Sequence, residues 1–136
     1  VKTEHQVEFK IKSDSVEYPF RGRIDRLDWN DKENIFEIHD YKVTNNLMTQ
    51  QEADNNWQLG LYQIAVREQW PDIRKVKLIW HSLLFNKELV SSRTELQIDE
   101  LQKQVIEKVR EIESTTDFPA QKSILCDWCD FQNICI

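Results

Sequence analysis

The sequence predicts an α/β fold, a mixed β-sheet with helices packed on it. Three observations carry this. Apolar and polar residues alternate from Gln6 to Ile11, the period of a strand with one buried face. From Thr49 to Trp70 the period lengthens, and Ala53, Trp57, Leu61, Ile64 and Ala65 recur at helical spacing. Such segments interleave in the order β-β-β-α-β-β-α, which suits a sheet with helices on it.

The elements follow in turn. Val7, Phe9 and Ile11 make the buried face of the first strand, and Ser13 to Ser15 a turn. Phe20 to Trp29 is the second strand, Asn30 to Asn34 a polar turn, and Ile35 to Val43 the third strand. A hairpin register that faces Trp29 with Phe36 also faces Asp25 with Asp40. One helix is expected over Thr49 to Trp70, stopped by Pro71. Val76 to Phe85 is largely apolar and reads as a central strand, and Leu89 to Thr94 as an edge strand. A second helix is expected after Asp99, with Asp99 and Gln102 as its capping box and Ile98, Leu101, Val105, Val109 and Ile112 as its buried stripe. Residues 114–125 are an irregular connection.

Composition bounds the function. The 136 residues suit one domain, and 40% hydrophobic content with five Trp and six Phe supplies a real core, which excludes intrinsic disorder. Only two Gly and three Pro argue against a loop-rich β-sandwich. No apolar run is long enough to span a membrane, and no signal peptide is evident. The net charge of −6 disfavours a nonspecific nucleic-acid coat but allows a nucleic-acid enzyme whose carboxylates hold metal. The three Cys are confined to the last eleven residues, which points to a reducing, cytoplasmic setting and metal-bound thiolates. The expected layout is a core over 1–120 and a cysteine-containing segment over 121–136 of the same domain. Because Val1 is not Met, the chain is expected to be cut from a longer one.

Chemistry concentrates in the second and third strands. Asp40 and Lys42 are two apart, so they share a face, with Phe36 and Ile38 behind them. A strand that is apolar and then ends in Asp-x-Lys carries polar groups at the rim of a core. Asp25 beside Asp40 would set two carboxylates together, an arrangement usually offset by a cation. Hard oxygen donors with an adjacent Lys suit Mg²⁺ or Mn²⁺ and a phosphodiester. A surface hairpin with a cross-strand salt bridge is the plainer alternative. On the helix, Gln58 and Tyr62 share a face at i and i+4, with Asp54 one turn earlier on the same line.

Gly22-x-x-Asp25, then Asp40-Tyr41-Lys42, then Gln58-x-x-x-Tyr62 resembles the RecB-like branch of the PD-(D/E)XK nuclease superfamily in order and spacing. The resemblance covers Val7 to Leu84 and the cysteine tail. It implies a restriction-endonuclease-like core lacking its N-terminal helix, since that family opens with a helix that supplies a further His or Glu ligand. It implies that Asp25, Asp40 and the Tyr41 main-chain carbonyl are metal ligands. Lys42 would hold or activate the attacking water and offset charge on the phosphate. Gln58 and Tyr62 would line the site and contact DNA or the catalytic groups. Glu4 sits where the family often has a Glu opening its first strand. His5, His39 and His81 are poor ligand substitutes by spacing, and His39 is expected to point away from Asp40.

Cys126-x₂-Cys129-x₅-Cys135 has metal-ligand spacing. The tail is similar to the iron–sulfur members of that family, which implies a [4Fe–4S] cluster in the full-length protein with a fourth Cys from upstream. Zn²⁺ is the competing metal.

The expected function is therefore a metal-dependent DNA exonuclease domain in DNA repair, recombination or CRISPR-type processing. DNA would be the substrate, a helicase or another repair or processing protein a partner, and no membrane is involved. Arg23, Arg26 and Lys42 are the basic groups nearest the site that would meet phosphate. The alternatives are a catalytically inactive DNA-binding or scaffold module with a metal-binding tail, and a zinc-binding interaction domain in which the carboxylates are incidental.

Overall fold

The computed structural model describes residues 1–73 and 75–135. The chain forms two compact units, Val1–Ile106 and Glu107–Ile136. The first holds a five-stranded mixed sheet in the order β1-β2-β3-β4-β5. The strands are β1 (Lys2–Ser13), β2 (Val16–Asn30), β3 (Ile35–Lys42), β4 (Val76–Ser82) and β5 (Lys87–Ser91). Neighbours are antiparallel except β3 and β4. A parallel pair needs a crossover, and helices α1 (Gln50–Asp54) and α2 (Trp57–Gln69) lie in it.

Alternation in β1 buries Val7, Phe9 and Ile11, as expected from their spacing. β2 departs from strict alternation. Ile24 and Leu27 are both buried although three residues apart, so the strand exchanges faces between them, at Asp25 and Arg26. The change lies opposite Glu4, whose φ of 49° is left-handed. Trp29 faces Phe36 in the β2/β3 register, which runs as far as Arg26 against His39; the expected Asp25–Asp40 pair lies beyond that ladder, and Asp25 instead meets the Tyr41 N–H. Ile38 and Leu78, paired across β3 and β4, are fully buried and anchor the core beneath the sheet. Truncating either to Ala would cost about 2–5 kcal/mol.

The single helix expected over Thr49 to Trp70 is instead two. Thr49 caps α1 in a capping box with Glu52, the Thr49 N–H donating to Glu52 Oε2 at 2.7 Å. Asn56 then caps α2, its Oδ1 accepting from the Leu59 N–H at 3.2 Å. Asn55 and Asn56 offer the backbone local partners that compete with a continuing helix. Arg93 holds the break, donating to the Ala53 carbonyl at 2.8 Å and the Asn56 carbonyl at 3.4 Å. The break resets the helical phase. Leu59 and Val66 are fully buried, while Trp57, expected inside, is 38% exposed.

α3 (Glu95–Ser114) starts before Asp99. Its capping box is Thr94 with Gln97, the Thr94 N–H donating to Gln97 Oε1 at 2.9 Å and the Gln97 N–H to Thr94 Oγ1 at 3.3 Å. The Asp99–Gln102 expectation missed it because the apolar stripe opens only at Ile98, leaving a polar first turn. Using Thr94 as a cap also shortens β5, which ends at Ser91 rather than Thr94. Ile98, Leu101 and Val105 are buried as expected, and Ile106 joins them. Val109 is half-buried and Ile112 exposed, so the expected stripe ends earlier. Gly60 lets α2 approach α3 closely, since a Cβ there would lie 2.4 Å from Leu101 Cδ2.

In the second unit, a 3-10 turn over Ile124–Trp128 is capped by Ser123, whose hydroxyl accepts from the Leu125 N–H at 3.2 Å. Leu125, Trp128, Phe131 and Ile134 are all exposed.

Candidate active site

β3 delivers the charged pair. Asp40 is 1% exposed and Lys42 is partly so, both on the face that carries Ile38. Lys42 Nζ lies 3.0 Å from Asp40 Oδ2. That is an ion-pair distance, yet Oδ2 has no donor aligned for a hydrogen bond and is fully buried. Burial pushes the Asp40 carboxyl above its ordinary value; Lys42 pulls it down, and the neighbouring Asp25 charge pushes it up again. Asp25 is fixed by the chain itself, its Oδ2 accepting from the Tyr41 N–H at 2.9 Å.

α2 completes the arrangement. Lys42 Nζ donates to Gln58 Oε1 at 3.3 Å, and Gln58 Nε2 donates to the Tyr62 hydroxyl at 3.2 Å. The Tyr62 ring lies against Gly22, where a Cβ would stand 2.9 Å from Tyr62 Cε1. The structure thus links Gly22, Asp25, Asp40, Lys42, Gln58 and Tyr62 through successive contacts from three elements. Asp54 is not among them. The break between α1 and α2 turns it toward Gln50 and Ser91, whose hydrogen bonds lower its carboxyl pKa.

Sequence reading missed Trp80. It pairs with Asp40 across the parallel β3/β4 ladder, and Lys42 Nζ sits 5.2 Å from its ring centroid, a cation–π distance. The only signal was its place in an apolar strand, which says core and nothing of a lysine above it.

The opposite face of β3 holds a separate polar column. His39 points away from Asp40, as strand alternation requires, and its Nδ1 is 2.9 Å from His81 Nε2. Burial holds the His39 pKa below its ordinary value. His81 also stacks on Tyr41 at 4.5 Å and meets Glu88 at 3.0 Å. His5 lies apart, beside Gln69 and Trp70. Two basic groups expected to meet phosphate are already engaged: Arg26 binds Asp28, and Arg23 reaches Glu4 at 3.5 Å. Lys42 remains the cation in the cluster. A cavity of about 960 Å³ lies elsewhere, lined by Glu33, Asp54, Lys77 and Arg93 among others.

The donor chemistry fits a hard divalent cation. Asp40 Oδ2 is buried without an aligned partner, and a second carboxylate stands on the next strand. Mg²⁺ binds through one or two carboxylates and keeps waters and phosphate oxygens for the rest. Among the described residues no three His, Cys, Asp or Glu side chains form a metal-holding group. Cys126, Cys129 and Cys135 are free thiols, Cys129 and Cys135 exposed, and Cys126 Sγ accepts from the Ser123 N–H at 3.2 Å. Among the described residues no helix is long and apolar enough to cross a membrane.

Comparison with known proteins agrees with this geometry. No curated protein matches the chain in sequence. The crystal structure of SSO0001 is similar in fold, with a TM-score of 0.59 at 17% identity. The alignment covers 98% of this chain and 59% of that one, so the chain spans well under two thirds of its length. The family model of the PD-(D/E)XK nuclease superfamily matches residues 1–136, the whole sequence. A strand ending in Asp40-Tyr41-Lys42, an aspartate brought to it by the preceding strand and a mixed sheet beneath them accord with that match, and the chain belongs to the PD-(D/E)XK nuclease superfamily.

Proposed function

We propose that the chain is a metal-dependent DNA nuclease domain of the RecB-like type, acting as an exonuclease in DNA repair, recombination or CRISPR-type processing. One observation carries the reading. The buried, unaligned Oδ2 of Asp40 stands 3.0 Å from Lys42, whose amine is in turn held by Gln58. A buried carboxylate oxygen held only by one ion pair is costly in a binding scaffold and useful in a site that takes a cation. Gln58 followed by Tyr62 on α2 favours the RecB-like type, as the motif order does.

In this reading Asp25, Asp40 and the Tyr41 carbonyl hold Mg²⁺ or Mn²⁺, which supplies positive charge against the phosphodiester in the transition state. Lys42 orients the attacking water and offsets charge gathering on the phosphate oxygens. Water oxygen bonds to phosphorus as the bond to the leaving ester oxygen breaks; the water gives up one proton to solvent, and the leaving oxygen takes one from solvent. Gln58 keeps the Lys42 amine in place, and Tyr62 keeps Gln58. Iron–sulfur or zinc binding by the tail is part of the proposal only where a further ligand joins Cys126, Cys129 and Cys135, because a cluster takes four thiolates.

The test is cleavage of end-labelled DNA with Mg²⁺, Mn²⁺ or chelator. Cleavage should require metal, and Asp40→Asn and Lys42→Ala should each lower it at least about a hundredfold. Near-wild-type cleavage by either variant would place the chemistry elsewhere. DNA binding without any cleavage would support the inactive scaffold instead.

A further inference from the structure

Ser82 is the last residue of β4 and pairs with Lys42 across the parallel β3/β4 ladder. Paired residues in neighbouring strands share a face, so Ser82 stands on the face of Asp40 and Lys42. Trp80, two residues earlier in β4, confirms that phase, since its ring lies under the Lys42 amine. The Ser82 side chain is 6% exposed, and its hydroxyl has no hydrogen-bond partner. Ser82 also stands at the N-cap of the 3-10 turn Leu83–Phe85, yet its hydroxyl makes no cap bond there. Serine at a helix start normally satisfies the first free N–H groups, so this hydroxyl is left without its usual local use.

Two buried polar oxygens without aligned donors or acceptors, Asp40 Oδ2 and Ser82 Oγ, thus lie on adjacent strands of one face. Buried polar groups are rarely left unsatisfied. Their chemistry differs in a telling way. A carboxylate only accepts, and suits a cation, whereas a hydroxyl also donates, and suits an anionic oxygen.

We infer that Ser82 is a substrate-binding residue whose hydroxyl donates a hydrogen bond to a nonbridging oxygen of the scissile phosphate, beside the Lys42 amine. The inference rests on the nuclease reading above and adds to it a residue that the Asp-x-Lys and Gln-x-x-x-Tyr pattern does not contain. No proton is transferred by Ser82; the hydroxyl binds and orients.

The experiment compares wild type, Ser82→Ala and Ser82→Thr. Affinity for a short fluorescent DNA strand is read by anisotropy in chelator, cleavage is read in Mg²⁺, and thermal denaturation is read without DNA. A hydrogen bond to a charged partner predicts that Ser82→Ala weakens DNA binding and lowers kcat/KM, each by about tenfold. Its Tm should be unchanged or raised, because a buried hydroxyl without a partner has been removed. Ser82→Thr, which restores a hydroxyl, should recover most of both losses. If wild type cleaves and Ser82→Ala matches it in affinity and kcat/KM, the inference falls while the nuclease reading stands. Losses that track a lowered Tm, and that Ser82→Thr does not recover, assign Ser82 to the fold and overturn the inference. A wild type that neither binds nor cleaves DNA removes the nuclease reading and the inference together.

Discussion

Gly22 and Tyr62 meet so closely that position 22 has no room for a side chain: a Cβ there would come within 2.9 Å of the Tyr62 ring. The contact ties the β2 glycine to the helix residue that holds Gln58. Gly22→Ala should push Tyr62 aside and break its bond to Gln58. The ring is half-buried and can give way, so the fold should lose less than about 1–2 kcal/mol, the low end for overpacking. Cleavage should fall about tenfold through the released Lys42. Urea unfolding and cleavage rates separate the two effects, and equal losses in both would mean that the contact is only packing.

Asp40 gives a pH signature in metal-free protein. Its carboxyl is raised by burial, so the folded chain keeps a proton that the unfolded chain gives up between the unfolded and folded pKa values. Stability therefore falls as pH rises through that interval, and the full cost remains above the folded value. Asp40→Asn removes the cost. At neutral pH its Tm should exceed that of wild type. Near pH ~3, below the ordinary carboxylate range, the gain should vanish. Calorimetry in chelator reads both, and a lower Tm for the variant at neutral pH would refute the argument.

Gly60 offers a check on helix packing. A methyl group there would stand 2.4 Å from Leu101 Cδ2. Gly60→Ala should destabilise by about 1–3 kcal/mol, despite the better helix propensity of Ala. Leu101→Ala in the same chain should recover part of that loss. A double-mutant cycle in urea measures the coupling, and strict additivity would mean that the helices do not touch there.

The tail makes a prediction about reactivity. In metal-free protein all three thiols should alkylate, Cys129 and Cys135 faster than Cys126, which is less exposed and accepts a hydrogen bond. Timed alkylation with peptide mapping gives the order. Protection of all three on adding zinc, or on reconstitution with iron and sulfide, would show them acting as ligands.

Much of this was legible from residue patterns, and what was not has physical causes. The hairpin register was readable because turn length and the pairing of Trp29 with Phe36 leave little freedom. Asp40, Lys42, Gln58 and Tyr62 were readable because strand and helix periods decide which side chains share a face. The face exchange in β2 was not, since it arises between strands, opposite a left-handed Glu4. Nor was the break at Asn55 and Asn56, where Arg93, distant in sequence, supplies the donors. Trp80 and Ser82 stayed hidden because their meaning comes from pairing with β3, which periodicity within β4 does not reveal.

That break has an electrostatic consequence. In an unbroken helix Asp54 would stand one turn ahead of Gln58, on the line that leads to the Lys42 amine. A carboxylate there would oppose an incoming polyanion and compete with it for the lysine. Ending one helix at Asp54 and starting the next at Trp57 directs that negative charge to Gln50 and Ser91. In the nuclease reading, the joint leaves the Gln58 amide and the Tyr62 hydroxyl as the α2 groups that lead to Lys42.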